Sequence, residues 1–302
     1  MNFTGLSAFP LTPVTDDGID EGSYTGIIER IAAAGVDSIC ALGSTGAYAY
    51  LTRAERSRVA DLTVAHAGQT PVIVGVSAIR TREVLAHVED AQRAGAAAVL
   101  LAPMTYQPLT QDEAFGLFET VSAELSVPLV VYDNPVTTGF TFTGELHGRI
   151  AELSAVASVK IPAVPTDPTR AHQRIAEYRR HVPRAVTLGV SGDGTAAAGL
   201  LAGCEAWYSV IAGVLPEACL ALTRAAVAGD ASAALAVSER FAALWELFAS
   251  YGSYRVAAAV AEDLGLVSPG MLPHPVRGID AAGREAVASA LAHAGIVAGG
   301  GR

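Results

Sequence analysis

One lysine, Lys160, lies in a short apolar run between Val159 and Ile161, and every other basic residue among the twenty is an arginine. A bias toward arginine explains the missing lysines but does not explain why this one remains. A guanidinium stays protonated, whereas a desolvated lysine amine can lose its proton and form an imine with a carbonyl substrate. The position indicates imine chemistry, although taken alone it also fits a strand-end lysine whose amine extends to solvent.

Two other groups of residues lie at the end of, or just after, apolar runs that are typical of strands. Tyr132 ends one run, and its phenol can relay protons beside an imine, although tyrosines at strand ends also serve packing. After another run comes a turn that offers N–H groups and hydroxyls to a carboxylate or phosphate, or simply reverses the chain: Gly43, Ser44, Thr45 and Gly46. An amine, a phenol and an anion-binding turn are the parts needed for imine chemistry on a 2-oxo acid. No cofactor is required.

The elements that must position these residues follow a repeated βα pattern, in which β-branched runs alternate with helical stretches of ten to fifteen residues. Eight strands are predicted, at residues 5–8, 38–41, 71–76, 97–101, 128–132, 157–161, 185–190 and 206–211. Eight strands fit a closed barrel better than an open doubly wound sheet, whose first turn would be a Gly-rich dinucleotide loop. The active site of such a barrel lies at the carboxyl ends of its strands, so the lysine, the phenol and the turn should share one pocket.

Helix starts and a carboxyl-terminal extension complete the predicted fold. N-caps are expected at Asp20, Thr52, Thr81, Thr110 and Thr143, with Glu55 completing a capping box. Helical patterns at 231–250, 253–264 and 281–294 follow the last strand. We therefore expect an α/β fold: a (β/α)8 TIM barrel over residues 1–228, a C-terminal helical extension packed on it over 229–298, and a flexible tail over 299–302.

The charge and composition of the chain limit the kinds of partner that it can bind and the compartment where it functions. A formal charge of -10 argues against nucleic acid and against an anionic membrane. Residues 1–13 lack a signal-peptide pattern and no apolar run is long enough to span a bilayer, so we expect a cytoplasmic protein. The cysteines are odd in number and lack CxxC spacing, which predicts reduced, buried thiols at Cys40, Cys204 and Cys219. The histidines are scattered along the chain, which predicts that there is no metal site.

These motifs resemble the dihydrodipicolinate synthase and N-acetylneuraminate lyase superfamily of pyruvate-dependent class I aldolases, over nearly the whole chain. The 43–46 turn is similar to the family's Gly-Thr-Thr-Gly, residues 132–135 (Tyr-Asp-Asn-Pro) to its Tyr-Asn-x-Pro, and Lys160 has the spacing of the Schiff-base lysine. Phe9 and Pro10 open a segment that is similar to the family's first strand and turn.

The resemblance implies a role for each matching residue. Lys160 would form the imine, Tyr132 would relay protons, and Ser44 and Thr45 would bind the substrate carboxylate within the turn. The set implied near the substrate is Gly43, Gly46, Ala47, Thr105, Tyr106, Thr137, Gly192 and Tyr208. The family's usual assembly implies a homo-oligomer, either a dimer or a tetramer of tight dimers.

Three positions depart from the synthase of lysine biosynthesis. Ala47 replaces an acidic residue, and Thr137 replaces the arginine that binds the second substrate's carboxylate. Thr105 stands where the synthase has a tyrosine that reaches the neighbouring subunit, and Tyr106 comes one residue late. We therefore expect a related aldolase or dehydratase that acts on pyruvate or another 2-oxo acid, with a neutral or hydroxylated aldehyde as its partner. The alternative is 4-hydroxy-tetrahydrodipicolinate synthase.

Other classes remain open. A non-catalytic barrel that binds a small acid would explain the changes at Ala47 and Thr137, but it has no need of a lysine at the imine position. A pyridoxal phosphate enzyme also uses a lysine imine, yet no convincing phosphate loop is present. A metal-dependent aldolase would need a histidine cluster.

Overall fold

Eight parallel strands close into a barrel in the computed structural model, which describes residues 3–296. Each strand pairs with its neighbours in chain order, and the first pairs with the last to complete the ring. The predicted barrel is confirmed. The strands are β1 Gly5–Ala8, β2 Ser38–Ala41, β3 Val72–Gly75, β4 Ala98–Leu101, β5 Leu129–Tyr132, β6 Val156–Ile161, β7 Thr187–Val190 and β8 Ala206–Ser209.

All eight predicted strand bounds hold to within two residues, and the prediction for β8 is two residues too long at its end. We predicted that it continued to Ile211, but the chain turns at Val210 and Ile211–Gly213 forms a 3-10 turn. The backbone N–H of Ile211 donates to the buried carboxylate of Asp193 at 2.8 Å. This bond stabilises the turn where the next strand residues would have been.

Helices surround the barrel, and their starts test the predicted caps. The side chains of Asp20, Thr52, Thr110 and Thr143 each accept a bond from the first helical turn, as predicted. Thr81 was wrong: Arg80 occupies that N-cap position without a side-chain cap. The helices are α1 Glu21–Ala34, α2 Arg53–His66, α3 Thr81–Ala94, α4 Gln111–Ala123, α5 Pro135–Thr138, α6 Gly144–Ala151, α7 Pro168–Arg179, α8 Ala196–Leu201 and α9 Pro216–Val227.

Four helices follow β8 and α9 where three were predicted. The first pattern divides at Phe241, whose backbone leaves helical geometry while its buried ring packs against Trp245. The helices are α10 Ala231–Arg240, α11 Ala242–Tyr251, α12 Ser253–Asp263 and α13 Ala281–His293. The division of the chain at residue 228 stays a prediction, and the predicted tail at 299–302 lies outside the described residues.

The extension contacts the barrel at three places, one of them between α11 and the Asp193–Thr195 turn after β7. Helix α10 packs against α8 and α9, and α12 lies beside the Ser44–Gly46 turn. Among the described residues, no helix is long and apolar enough to cross a membrane. The same part of the chain brings no three metal-ligating side chains together.

The cysteines are buried and unpaired, as predicted. Burial raises the pKa of Cys40 and Cys204 to about 12 and that of Cys219 well above its ordinary value. These thiols are therefore protonated and unreactive at neutral pH.

Candidate active site

The amine of Lys160 lies between two aromatic rings. On β6, Lys160 pairs with Tyr132 of β5 on one side and with Gly189 of β7 on the other, and it is only 3% exposed. Its Nζ atom lies 3.7 Å from the centroid of the Phe9 ring and 4.2 Å from that of Tyr132. No ion pair joins it to a carboxylate within residues 3–296. A carbonyl substrate can therefore meet this amine without first breaking a salt bridge.

The ring of Phe9 is the platform beneath the amine. Phe9 directly follows β1 and is 1% exposed, and its ring stands edge-on to Tyr208 with 6.0 Å between centroids. A Cβ atom on Gly43 would lie 2.5 Å from Phe9 Cδ1, so only glycine leaves room for the ring. Sequence reasoning used Phe9 for the family likeness alone. Its place at the carboxyl end of a barrel strand was the signal that would have identified it.

The hydroxyl of Tyr132 lies in a short chain of polar groups. Its Oη atom lies 3.3 Å from Ser44 Oγ and accepts a hydrogen bond from Asn134 Nδ2 at 2.8 Å. Ser44 and Tyr132 come from different strand ends, 88 residues apart, and meet as predicted. Asn134 was not predicted, because an amide within a recognised motif carries no charge or aromatic signature of its own.

The turn that follows β2 is held in an unusual backbone conformation. Ser44–Gly46 forms a 3-10 turn, and the flanking residues Leu42 and Ala47 have φ values of 57° and 58°. Residues other than glycine reach this left-handed region at a cost of roughly 1–3 kcal/mol each. Thr45 is 5% exposed, and its hydroxyl has no hydrogen-bond partner among the described residues. A buried hydroxyl in that state is a suitable donor for a bound anion.

Thr105, Tyr106 and Thr137 were predicted to lie near the substrate, at what we call the rim of the site, and the structure separates them into two groups. Thr105 Oγ1 donates to the backbone oxygen of Thr138 at 2.8 Å, so its hydroxyl proton stabilises the loop that carries α5. Thr137 is exposed on α5, and its Oγ1 accepts from Asn134 at 2.9 Å. Tyr106 is 84% exposed and contacts none of the site residues by a hydrogen bond in the described chain. Within one chain, Thr137 therefore joins the site and Tyr106 does not.

Tyr208 supports the site from below. The Oη atom of Tyr208 lies 2.7 Å from Oγ of Ser158, which precedes Lys160 by two residues on the inward face of β6. Burial raises the pKa of Tyr208. Lys160 Nζ lies 5.9 Å from the centroid of its ring. A Cβ atom on Gly189 would lie 2.2 Å from Tyr208 Cε2, so this glycine makes space for the ring.

Gly192 serves the turn after β7. Its φ of +82° and its closeness to Ala163, 2.7 Å from a Cβ placed on it, both require glycine. The turn positions the buried Asp193, whose carboxylate accepts from Trp207 Nε1 at 3.0 Å as well as from Ile211. Burial raises the pKa of Asp193. Sequence reasoning named only Gly192 in this turn and missed the carboxylate of Asp193.

Comparison with known proteins places this geometry in a family. The sequence model of the Dihydrodipicolinate synthetase family matches residues 2–294. The chain belongs to that family. The lyase predicted from the resemblance is thereby confirmed, since members of the family are class I lyases.

Individual relatives match along almost their full length. The 4-hydroxy-tetrahydrodipicolinate synthase of Methylococcus capsulatus is 32% identical over 95% of this chain and 97% of its own. The crystal structure of dihydrodipicolinate synthase from Agrobacterium tumefaciens is 41% identical with a TM-score of 0.93, covering 97% of this chain and 98% of that one. The chloride-inhibited dihydrodipicolinate synthase of Acinetobacter baumannii, solved in complex with pyruvate, is 26% identical with a TM-score of 0.89, covering 98% of this chain and all of that one.

Proposed function

We propose that this lyase forms an imine between Lys160 and pyruvate or another 2-oxo acid, with Tyr132 as the proton relay. The observation that carries the proposal is the buried amine of Lys160, which has no ion-pair partner among residues 3–296 and lies 4.2 Å from the ring centroid of Tyr132. The hydroxyl of Tyr132 in turn contacts Ser44. The complex of the Acinetobacter baumannii relative with pyruvate supports the same substrate class.

The proposed reaction proceeds through an imine and an enamine on Lys160, with Tyr132 moving the protons. The Lys160 amine attacks the 2-oxo carbon, and the carbonyl oxygen takes protons and leaves as water, which yields the imine. Tyr132 exchanges those protons through its hydroxyl. The relay takes a proton from the adjacent carbon, which gives an enamine, and a proton passes to the aldehyde oxygen as the enamine attacks the aldehyde carbon. Hydrolysis of the new imine returns the amine and releases product.

The 43–46 turn is the proposed carboxylate site. Ser44 and Thr45 offer hydroxyls, and Gly43 and Gly46 leave the backbone unobstructed. No cofactor takes part in any of these steps. The imine itself is the electron sink.

For the second substrate we propose a neutral or hydroxylated aldehyde. Thr137 offers a hydroxyl where the synthase of lysine biosynthesis has an arginine. Losing a bidentate contact to a carboxylate costs about 3 kcal/mol, or roughly a hundredfold in affinity. The other candidate is 4-hydroxy-tetrahydrodipicolinate synthase itself, which the name of the Methylococcus capsulatus relative favours.

We also propose a cytoplasmic homo-oligomer, a dimer or tetramer. The exposed Tyr106 and Val136, 84% and 96% exposed, support a subunit contact beside the site. Sedimentation analysis of the purified chain measures the assembly directly. A monomer at micromolar concentration would contradict this part of the proposal.

Borohydride trapping tests the imine. Incubation with pyruvate and a panel of other 2-oxo acids, followed by reduction and peptide mass mapping, should place a stable adduct on Lys160. Lys160→Arg is the matched control, because it keeps the positive charge and cannot form an imine. Lys160→Ala should also abolish turnover with the fold intact. No adduct in the parent, or full activity in either variant, would refute the mechanism.

A second assay separates the two candidate reactions. Pyruvate is offered together with aspartate semialdehyde or with uncharged hydroxy-aldehydes, and consumption of each aldehyde is followed. We expect turnover with an uncharged aldehyde and little with the semialdehyde. Efficient condensation with aspartate semialdehyde would favour the synthase instead.

A further inference from the structure

The side-chain amide of Asn134 joins the proposed relay to the rim of the site. Its Nδ2 atom donates to Tyr132 Oη at 2.8 Å and to Thr137 Oγ1 at 2.9 Å. Both amide hydrogens are therefore used, one on the phenol and one on the rim hydroxyl. No other side chain in the described residues donates to the Tyr132 oxygen from a nitrogen atom.

The backbone holds Asn134 firmly in this place. It is the N-cap residue of α5, and its carbonyl oxygen accepts from the backbone N–H groups of Thr137 and Thr138 at 3.1 and 3.0 Å. The hydroxyl of Thr138 donates to the same oxygen at 2.9 Å. Pro135 follows directly and restricts the backbone of Asn134, and the two bonds that Nδ2 donates hold its amide in place.

These contacts set the direction of the Tyr132 proton. A phenol oxygen carries one proton, and at Tyr132 it already accepts from the Asn134 amide. With the amide donating to the phenol oxygen, Ser44 Oγ at 3.3 Å is the other polar atom within hydrogen-bond distance and is the acceptor available to the Tyr132 proton. A proton donated along this contact lies on the side of the site where Ser44 lies and the carboxylate would bind.

We propose that Asn134 is a positioning residue for the proton transfers of this lyase, acting through Tyr132. The inference rests on the proposed imine at Lys160 and adds a residue that the family pattern leaves unspecified. The same amide orients Thr137, because a hydroxyl that accepts from Asn134 turns its own proton outward. That proton is then available to a hydroxyl or carbonyl oxygen of the second substrate.

A reaction of pyruvate alone tests the inference without knowledge of the second substrate. In D2O, the Lys160 imine of pyruvate loses a methyl proton to give the enamine, and return of a deuteron followed by hydrolysis releases deuterated pyruvate. Proton NMR follows the loss of the methyl signal. The rate of this exchange reports proton transfer at the site.

Two substitutions change the amide in different ways. Asn134→Leu removes the donor and should slow exchange roughly tenfold, the effect expected from one hydrogen bond. Asn134→Asp keeps the shape but can only accept when ionised, so the Tyr132 proton turns toward it and away from Ser44. We expect a larger loss in this variant. Val227→Ala, at a 64% exposed side chain at the end of α9, is the matched control and should exchange like the parent.

A double variant distinguishes positioning from a general structural role. If Asn134 acts through the phenol, Asn134→Leu should have no further effect on exchange once Tyr132→Phe is present. Equal slowing in both backgrounds would overturn the proposal, as would parental exchange in Asn134→Leu. Failure of the imine itself looks different, since the parent would then give neither a borohydride adduct on Lys160 nor any exchange.

Discussion

The ring of Phe9 fills the space that a side chain on Gly43 would need. A Cβ atom at position 43 would lie 2.5 Å from Phe9 Cδ1 and 2.9 Å from Cε1, both far inside van der Waals contact. The same ring lies 3.7 Å below the amine of Lys160. A glycine in the turn after β2 thus determines how an aromatic platform from β1 meets a lysine on β6.

Gly43→Ala should therefore damage both stability and chemistry. The new methyl group must push the Phe9 ring toward Lys160, and overpacking of this kind costs about 1–3 kcal/mol of unfolding free energy. We also expect slower formation of the borohydride-trapped pyruvate adduct. Urea unfolding and the trapping rate measure the two effects.

Gly26→Ala is the matched control for that substitution. Gly26 is exposed within α1, and a Cβ atom there meets nothing within 4 Å. Alanine should stabilise the helix by up to about 1 kcal/mol and leave the trapping rate unchanged. Parental stability and trapping in Gly43→Ala would show that the ring can move freely, which would contradict its role as a platform.

Tyr132→Phe tests the relay. The substitution removes only the hydroxyl that contacts Ser44 and Asn134, and the ring beside the Lys160 amine stays in place. Pyruvate should still bind, while the proton transfers slow by a factor of about 10² to 10⁴. Steady-state kinetics should place the loss in kcat rather than in KM. A rate equal to the parent would show that another group moves the protons.

The barrel and the meeting of Lys160 with Tyr132 and Ser44 followed from the sequence, because strand ends of a closed parallel barrel share one face. The local conformations did not follow. Leu42 and Ala47 adopt left-handed backbone angles without being glycine, the residue that usually signals them. The break at Phe241 likewise carries neither glycine nor proline, and tertiary packing of its ring decides it.

His87 should make stability depend on pH in mild acid. Burial lowers the pKa of His87 to about 4, with the positive charges of Arg56 and Arg53 adding to the effect and Asp90 opposing it. An unfolded histidine titrates near 6.5, so between about pH 4 and 6.5 the unfolded chain binds the extra proton. Unfolding free energy should therefore be fully retained above about pH 6.5 and fall as the pH drops toward 4.

His87→Gln is the test of that dependence. Glutamine does not titrate, so urea midpoints between pH 4 and 7 should vary less steeply in the variant than in the parent. Since His87 is only half-buried, solvent screening reduces the difference. Identical slopes in both proteins would assign the acid sensitivity to other groups.

The bond between Ser158 and Tyr208 should appear as a coupling energy in a double-mutant cycle. Both side chains are buried, 0% and 2% exposed, and their oxygens lie 2.7 Å apart below Lys160. Tyr208→Phe leaves the Ser158 hydroxyl with only a 3.4 Å contact to the Thr187 oxygen, so each single change should cost about 1–3 kcal/mol. Because Ser158→Ala with Tyr208→Phe removes both partners, urea unfolding should show the double variant losing at least about 1 kcal/mol less than the sum of the singles. Strict additivity would mean that the two hydroxyls contribute independently, and that the layer beneath the lysine is stabilised by packing of the Tyr208 ring rather than by this bond.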